Sequence, residues 1–208
     1  KSYGIDTIDT LTGFKFIGQK IKEFEDNGDS IFLFGYEESY GYLAGDFVRD
    51  KDAVIASMLI CEMALYYKTL GMSLYQALNK LWEKFGFYME SLKSISMEGK
   101  EGMGKIKQMM DSLRRYRPGQ LANVSIAAIE DYLESKSFIL SSAKEQPINL
   151  PKSNVLRYIL KDGSWFAIRP SGTEPKVKLY FSVIGASIED ADLKMNRLIN
   201  AVMDMVNS

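Results

Sequence analysis

The stretch Trp165-Phe166-Ala167-Ile168-Arg169-Pro170-Ser171-Gly172-Thr173-Glu174-Pro175-Lys176-Val177-Lys178-Leu179-Tyr180 joins two extended segments through a polar turn. Residues 165–168 are apolar, which predicts a strand that ends at Arg169. Residues 176–183 predict a second strand that leaves the turn. The stretch therefore predicts a β-hairpin within an antiparallel sheet.

The turn of this hairpin also gathers groups that bind anions. Arg169 carries a planar guanidinium that can hold two phosphate oxygens at once, and Ser171 and Thr173 carry hydroxyls. Gly172 permits a close backbone approach or a positive φ, so that amide N–H groups can converge on an anion. Two lysines follow on the second strand, where alternation decides which one faces the turn. We interpret the turn as a candidate phosphate site; a solvated hairpin turn is the alternative, because Pro, Ser and Gly are common turn residues.

The 208 residues are enough for one large domain or two small ones, and the pattern changes near residue 86. Residues 1–86 alternate strand and helix, which predicts an α/β layer. Its predicted elements are a short strand at 5–11, a helix at 14–26, an apolar strand at 31–34 buried on both faces, and helices at 53–70 and 73–85.

Residues 87–208 predict an α+β domain. Its predicted strands lie at about 88–97, 154–161, 164–169 and 176–183, its helices at 99–115 and from Ser187 onward, and a polar loop runs through Pro147 and Pro151. The predicted fold class is thus a partial α/β/α layered domain over residues 1–86, followed by an antiparallel sheet with helices on one face over residues 87–208.

Composition limits the possible functions. The 26 basic and 27 acidic residues are almost balanced, so neither nucleic acid nor an anionic membrane is an expected partner. No histidine is present, which removes the commonest general base and metal ligand. Cys61 is the single cysteine and lies in the apolar run 53–70. That run also contains Glu62, and we interpret it as a buried helix with an inert thiol in a reducing compartment, not as a membrane span.

An acidic loop, Glu37-Glu38-Ser39, follows the predicted strand at 31–34 and lies between Gly35 and Gly41. In open α/β sheets, ligands bind beyond the carboxyl ends of the strands. Carboxylates and a hydroxyl suit the OH groups of a sugar, because each carboxylate accepts from two vicinal hydroxyls. The alternative is an acidic surface loop, although the two glycines indicate a constrained backbone.

Residues 99–105, Gly-Lys-Glu-Gly-Met-Gly-Lys, fit the first seven positions of a nucleotide-binding P-loop. The next residue is Ile106, where that motif requires a Ser or Thr to hold magnesium. We therefore do not predict nucleotide binding.

The chain carries three motifs in a fixed order. They are Thr12-Gly13-Phe14-Lys15, then Glu37-Glu38-Ser39 followed by Arg49-Asp50-Lys51-Asp52, and finally Arg169-Pro170-Ser171-Gly172-Thr173. Together they resemble the motifs of the α-D-phosphohexomutases, the phosphoglucomutase/phosphomannomutase family. The resemblance spans nearly the whole chain, and implies the third domain, without its opening, and the complete fourth domain of a four-domain enzyme.

The resemblance implies roles for the residues of the first domain. Glu37 and Ser39 correspond to residues that read the sugar hydroxyls, mainly at positions 3 and 4. Thr12 and Gly13 correspond to the loop that orients the sugar. Lys51 corresponds to the lysine proposed as a general acid/base near the transferred phosphoryl group.

For the second domain, the resemblance implies a grip on the phosphate that is not transferred. Arg169, Ser171, Gly172 and Thr173 correspond to that phosphate site, and Lys178 to a basic position on the following strand. The implied reaction interconverts glucose 1-phosphate and glucose 6-phosphate through glucose 1,6-bisphosphate, which turns around between two half-reactions.

Two family features are missing from this sequence: the phosphoserine loop of Thr-Ala-Ser-His-Asn type and the Asp-x-Asp-x-Asp-Arg loop that holds Mg²⁺. Phosphoryl transfer depends on a metal and positioned charge. We therefore expect a fragment that supplies recognition without metal ligands, whose partners are a hexose phosphate and the missing N-terminal domains of a cytoplasmic enzyme. The fragment alone is expected to be inactive. Phosphomannomutase or phosphopentomutase activity, or a stand-alone sugar-phosphate binding module, are the alternatives.

Overall fold

The computed structural model describes residues 3–37, 40–97 and 101–207. They form two compact units, Lys1–Lys80 and Leu81–Ser208. The first unit contains α1 (Phe14–Asn27), β1 (Phe34–Glu37), β2 (Gly41–Ala44), α2 (Ala53–Thr69) and the start of α3 (Leu74–Phe85). The second contains β3 (Phe87–Ser96), α4 (Gly102–Arg115), β4 (Gln120–Leu121), β5 (Val124–Asp131), β6 (Lys136–Ile139), β7 (Lys144–Pro147), β8 (Leu156–Leu160), β9 (Trp165–Pro170), β10 (Lys176–Gly185) and α5 (Ile188–Asn207).

The core of the first unit is small and is built on α1. Phe14, Ile17 and Ile21 recur at helical spacing and are buried together with Leu43 of β2. The helix ends where Gly28 adopts the left-handed conformation and donates its N–H to the Phe24 carbonyl at 2.8 Å. The helix predicted at 14–26 is confirmed.

Two strands predicted in this unit are wrong. Residues 5–11 form no regular secondary structure, because their alternation of Ile, Thr and Asp finds no pairing strand among the described residues. The apolar run 31–34 is not a strand buried on both faces: β1 begins at Phe34, pairs antiparallel with β2, and Ile31 is 85% exposed. A continuous apolar run indicates burial only when other elements cover both faces of the sheet.

The long apolar helix forms as predicted, but it is not buried. Asp52 caps α2 by accepting hydrogen bonds from the N–H groups of Val54 and Ile55, at 2.8 and 3.0 Å. No residue of α2 is buried, and Cys61 is exposed. The prediction of a buried helix with a buried thiol is therefore wrong for this chain, because in the first unit α2 packs mainly against the short β2.

Among the described residues, no single helix has both the length and the apolar character needed to cross a membrane. Helices α2 and α3 reach the required length and apolar character only when they are taken together, and they are bent by 84° at the break between them.

The second unit is a large antiparallel sheet in the order β3-β10-β9-β8-β5-β6-β7, with β4 paired to β5. Alternate residues of its strands form one core with α4 and α5, among them Phe166 of β9 and Phe181 of β10. Because both helices share that core with the same alternate strand residues, they cover one face of the sheet. The predicted fold class is confirmed.

The sequence predicts the strands of the β8–β9 hairpin but not those of the β6–β7 hairpin. The turn at Asp162-Gly163 forms, with Gly163 at φ 87° and the Asp162 carboxylate accepting the Ser164 N–H at 3.0 Å. By contrast, β6 and β7 lie where the sequence predicts only a polar loop. The domain boundary predicted after residue 86 stays a prediction.

Candidate functional site

In the first unit, residues of the first two sequence motifs meet at the side chain of Lys51. Its Nζ lies 2.9 Å from Oδ1 of Asp50 and 3.9 Å from Oε1 of Glu37. The same ammonium lies 5.2 Å from the ring centroid of Phe14, at the start of α1. The structure thus brings Lys51 together with Glu37, and both with the residue that follows Thr12-Gly13.

Local backbone structure explains how Lys51 reaches this position. The Asp52 N–H donates to the Tyr42 carbonyl at 2.9 Å, which ties the chain before α2 to β2. The side chain of the same residue caps α2. Lys51 is therefore fixed between a strand and a helix start, while Glu37 ends the neighbouring strand, with its side chain only 14% exposed.

Thr12 and Gly13 lie at the amino end of α1. Gly13 has φ 121° and ψ 128°, and its carbonyl accepts the Phe16 N–H at 3.1 Å. No side chain of a described residue caps this end of α1, so the first-turn N–H groups before Phe16 can point to a ligand. Thr12 is exposed and Phe14 is buried. Ser39 and its neighbour Glu38 lie outside the described residues.

The electrostatics of Lys51 keep it protonated. The hydrogen bond to Asp50 raises the pKa of Lys51, and the charges of Asp50 and Glu37 add to the effect. The same hydrogen bond lowers the pKa of Asp50. Lys51 therefore carries a positive charge near neutral pH.

In the second unit, the candidate phosphate turn joins β9 to β10 and is held by its own hydrogen bonds. The Ser171 N–H donates to the Lys176 carbonyl at 2.8 Å. The Ser171 hydroxyl oxygen accepts from the N–H groups of Thr173 and Glu174, at 3.4 and 3.3 Å. On its outer side, the Pro175 carbonyl accepts the Met97 N–H at 2.9 Å. The turn is thus closed before any ligand binds.

Arg169 and Lys178 lie directly opposite each other in the β9–β10 ladder, so their side chains leave the same face of the sheet. Within residues 3–37, 40–97 and 101–207, neither side chain has a hydrogen bond or ion-pair partner. Lys176, by contrast, pairs with Glu174 at 3.2 Å. Two like charges in direct opposition destabilise a sheet, and an anion between them would remove that penalty.

Gly172 is exposed, its φ lies outside the left-handed region, and a Cβ built on it would meet nothing within 4 Å. Of the two reasons that the sequence offers for a glycine here, positive φ is wrong and a close approach to a ligand stays a prediction. Thr173 is exposed beside it, and Ser171 is half-buried.

The described residues contain no group of three His, Cys, Asp or Glu side chains able to hold a metal ion. That the Mg²⁺ ligands lie outside this chain stays a prediction.

The residues around Lys51, here called the Lys51 cluster, are Glu37, Asp50, Phe14 and Gly41. Sequence reasoning assigned no role at this site to Phe14, Asp50 or Gly41. Phe14 and Asp50 stand inside the quoted motifs, so their proximity to Lys51 was open to prediction. Gly41 was noted only for its backbone, whereas a Cβ there would lie 2.4 Å from Cδ of Lys51.

Two domain models of one protein family match the chain. Residues 1–85 match the model of phosphoglucomutase/phosphomannomutase, alpha/beta/alpha domain III, and residues 117–187 match that of the phosphoglucomutase/phosphomannomutase C-terminal domain. A phosphoglucomutase of Staphylococcus aureus strain bovine RF122 / ET3-1 is 42% identical over 94% of this chain, and that of strain MSSA476 is 41% identical. The chain spans about a third of their length, 35% in both.

A solved structure, the open form of the exocytosis-sensitive phosphoprotein pp63/parafusin (phosphoglucomutase) from Paramecium, has the same fold. It superposes on 99% of this chain with a TM-score of 0.63 at 17% identity, and the chain covers 34% of it. With two family models matched in order along the sequence, the chain belongs to the phosphoglucomutase/phosphomannomutase family.

Proposed function

We propose that this chain supplies the sugar and phosphate recognition of a phosphoglucomutase, which interconverts glucose 1-phosphate and glucose 6-phosphate. The observation that carries the proposal is the opposed pair Arg169 and Lys178 beside a closed Ser-Gly-Thr turn. Both cations lack a partner among the described residues, and the similar proteins of Staphylococcus aureus are named phosphoglucomutase.

The phosphate that is not transferred binds at this turn. Arg169 donates two parallel hydrogen bonds to it and Lys178 contributes charge. The Ser171 oxygen is the acceptor in the two hydrogen bonds that it makes with described residues, so its hydroxyl proton can be donated to a phosphate oxygen. The backbone at Gly172 and the Thr173 hydroxyl complete the grip.

The sugar binds at the Lys51 cluster. The Glu37 carboxylate accepts from vicinal hydroxyls, and N–H groups at Thr12, Gly13 and the uncapped amino end of α1 orient the ring. Lys51 stays protonated beside Asp50 and donates its proton to the oxygen from which the phosphoryl group leaves. Ser39 joins this site by the family resemblance alone.

The remaining requirements are supplied from outside these residues. The phosphoserine donor and the Mg²⁺ ligands belong to other domains of a cytoplasmic enzyme, in which Mg²⁺ neutralises charge on the transferring phosphoryl group and glucose 1,6-bisphosphate is the intermediate. The exposed apolar surface of α2 supports such a larger assembly, since a helix that is apolar all round is normally buried. The chain alone has no mutase activity, and conversion of glucose 1-phosphate by the pure chain would contradict this.

Phosphomannomutase activity is the second candidate, because the matched family models name both activities. Glucose and mannose differ at O2, whereas the residues above address O3 and O4. Parallel titrations with glucose 1-phosphate and mannose 1-phosphate distinguish the two.

The test is an NMR titration of glucose 1-phosphate into the chain and into Arg169→Ala. Loss of a charge-assisted contact costs roughly 1.5–3 kcal/mol, so the affinity should fall about 10- to 150-fold. Arg197→Ala, which removes an exposed arginine of α5, is the matched control and should bind normally. Equal affinity of Arg169→Ala and the unmodified chain would refute the phosphate site.

A further inference from the structure

Gly41 stands directly opposite Glu37 in the β1–β2 ladder, and the side chain of Lys51 crosses it. A Cβ built on Gly41 would lie 2.4 Å from Cδ and 2.7 Å from Cγ of Lys51. It would also lie 3.0 Å from Cγ of Glu37. Carbon atoms in contact sit about 3.5–4.0 Å apart, so no residue with a side chain fits beneath Lys51 as it lies.

Backbone conformation does not explain this glycine. Gly41 is the first residue of β2 and its φ lies outside the left-handed region, unlike Gly13 or Gly28. An alanine could therefore adopt the same backbone without strain. What glycine provides here is space for the side chains of its neighbours.

That space determines where the Lys51 ammonium lies. With no side chain on Gly41, the methylenes of Lys51 lie close over β2, and Nζ ends 2.9 Å from Asp50 and 3.9 Å from Glu37. The Phe14 ring, only 4% exposed, forms a fixed wall 5.2 Å from Nζ. The methylene chain is the flexible part of this arrangement, so it is the part that a side chain at position 41 would move.

We infer that Gly41 is a positioning residue, whose missing side chain keeps the Lys51 ammonium beside the Glu37 carboxylate. The consequence for ligand binding rests on the function proposed above, whereas the geometric inference does not. Gly41→Ala should leave the strand in place and displace Lys51, because an alkyl ammonium chain can rotate away while a backbone cannot.

The first arm of the test observes Lys51 directly. The chain is labelled by reductive ¹³C-methylation of its lysines, and Lys51→Arg identifies the Lys51 signal by its disappearance. In Gly41→Ala this signal should shift, and the pKa of Lys51 should fall towards its ordinary value as Asp50 and Glu37 are lost as neighbours. Gly119→Ala is the control, since a Cβ there meets nothing within 4 Å. An unmoved Lys51 signal in Gly41→Ala would overturn the inference.

The second arm covers the case in which Gly41→Ala destabilises the fold. Lys51→Ala removes the crowded Cγ and Cδ, so it should restore the melting temperature of Gly41→Ala in the double variant. Failure of this rescue would also overturn the inference, because the clash would then lie elsewhere.

The third arm titrates glucose 1-phosphate into the unmodified chain, Gly41→Ala, Lys51→Ala and the double variant. Gly41→Ala should weaken binding about tenfold, the lower bound for a lost charge-assisted contact. The double variant should bind glucose 1-phosphate with the same affinity as Lys51→Ala. If the unmodified chain does not bind glucose 1-phosphate, the proposed function fails, and the Lys51 signal alone still decides the positioning role.

Discussion

Replacing Lys178 by Gln should strengthen the ligand-free fold and weaken phosphate binding, two effects of opposite sign. Lys178 faces Arg169 across the β9–β10 ladder, and neither cation has a partner among the described residues. The substitution removes one of two like charges but keeps a polar side chain of similar length. If Lys178 contributed only to stability, its replacement would not raise the stability of the free chain while lowering its affinity for phosphate.

The size of the stabilising effect follows from Coulomb's law. Residues in direct opposition have Cβ atoms roughly 4.5–5.5 Å apart, and we take a wider separation of about 7 Å for the charged ends of these two long side chains. Their repulsion in water is then about 0.6 kcal/mol. Screening leaves about 0.5 kcal/mol at 10 mM salt and about 0.25 kcal/mol at 150 mM. Loss of the phosphate contact should cost roughly 1.5–3 kcal/mol of binding free energy.

The assay is urea unfolding of the chain and of Lys178→Gln at 10 and 150 mM salt, with and without inorganic phosphate. Without phosphate, the variant should be more stable at 10 mM salt, and the gain should shrink at 150 mM. With phosphate, the unmodified chain should gain stability by mass action and the variant much less. Lys152→Gln is the control, since Lys152 is exposed and has no ion pair with a described residue.

Two results would refute the reasoning. If Lys178→Gln is equally or less stable at 10 mM salt, the two cations do not repel each other in the free chain. If phosphate stabilises the variant as much as the unmodified chain, Lys178 does not take part in binding.

Three further predictions concern stability and exposure. Asp52→Ala should cost about 1 kcal/mol of unfolding free energy through loss of the α2 cap, whereas Asp52→Asn should cost little; urea unfolding followed by circular dichroism measures both. Burial raises the pKa of Tyr158, so this residue's contribution to stability is complete below the ordinary tyrosine pKa of about 10 and is lost as the pH rises above it. Tyr158→Phe should cost about 1 kcal/mol at pH 7, through the 3.2 Å hydrogen bond to the Leu113 carbonyl, and should flatten the alkaline decline; an equally steep decline would contradict this. Cys61 should react with a thiol reagent in the native chain, and reaction only after denaturation would show that it is covered.

Much of the fold could be predicted from local patterns. The amphipathic spacing in α1, α4 and α5 places their apolar residues on one stripe, and the structure buries those stripes. The strands β8, β9 and β10 were predicted within a few residues, because apolar runs and turn residues alternate there. The patterns of these elements are local in the sequence, so they can be recognised without knowing what the elements pack against.

The errors arose where structure depends on distant partners. All four residues of β7 are exposed and three of them are polar, so only pairing with β6 makes this segment a strand. The runs at 31–34 and 53–69 are apolar enough for a core, yet burial depends on elements that would cover them. An apolar pattern shows that a segment can be buried, but it does not show whether other elements are present to cover it.

In the candidate site, too, some features could be predicted from the sequence and others depend on how distant elements pack. Motif resemblance identified Glu37 and Lys51, and the structure places their charged atoms 3.9 Å apart. The contacts of Gly41 and Phe14 with Lys51 arise only when β2, α1 and the start of α2 are folded together. Residue type predicted the chemistry of this site, and packing determined its geometry.

The pairing of β3 with β10 has a consequence for biosynthesis. Ser96 pairs with Lys176, and Phe87 with Gly185, so β3 leaves the ribosome long before its partner. At roughly 5–20 residues per second, about 4 to 20 seconds of translation separate paired residues of the two strands. A nascent β3 is exposed to foreign strands throughout that interval, which makes slow elongation or truncation before residue 176 a direct route to aggregation.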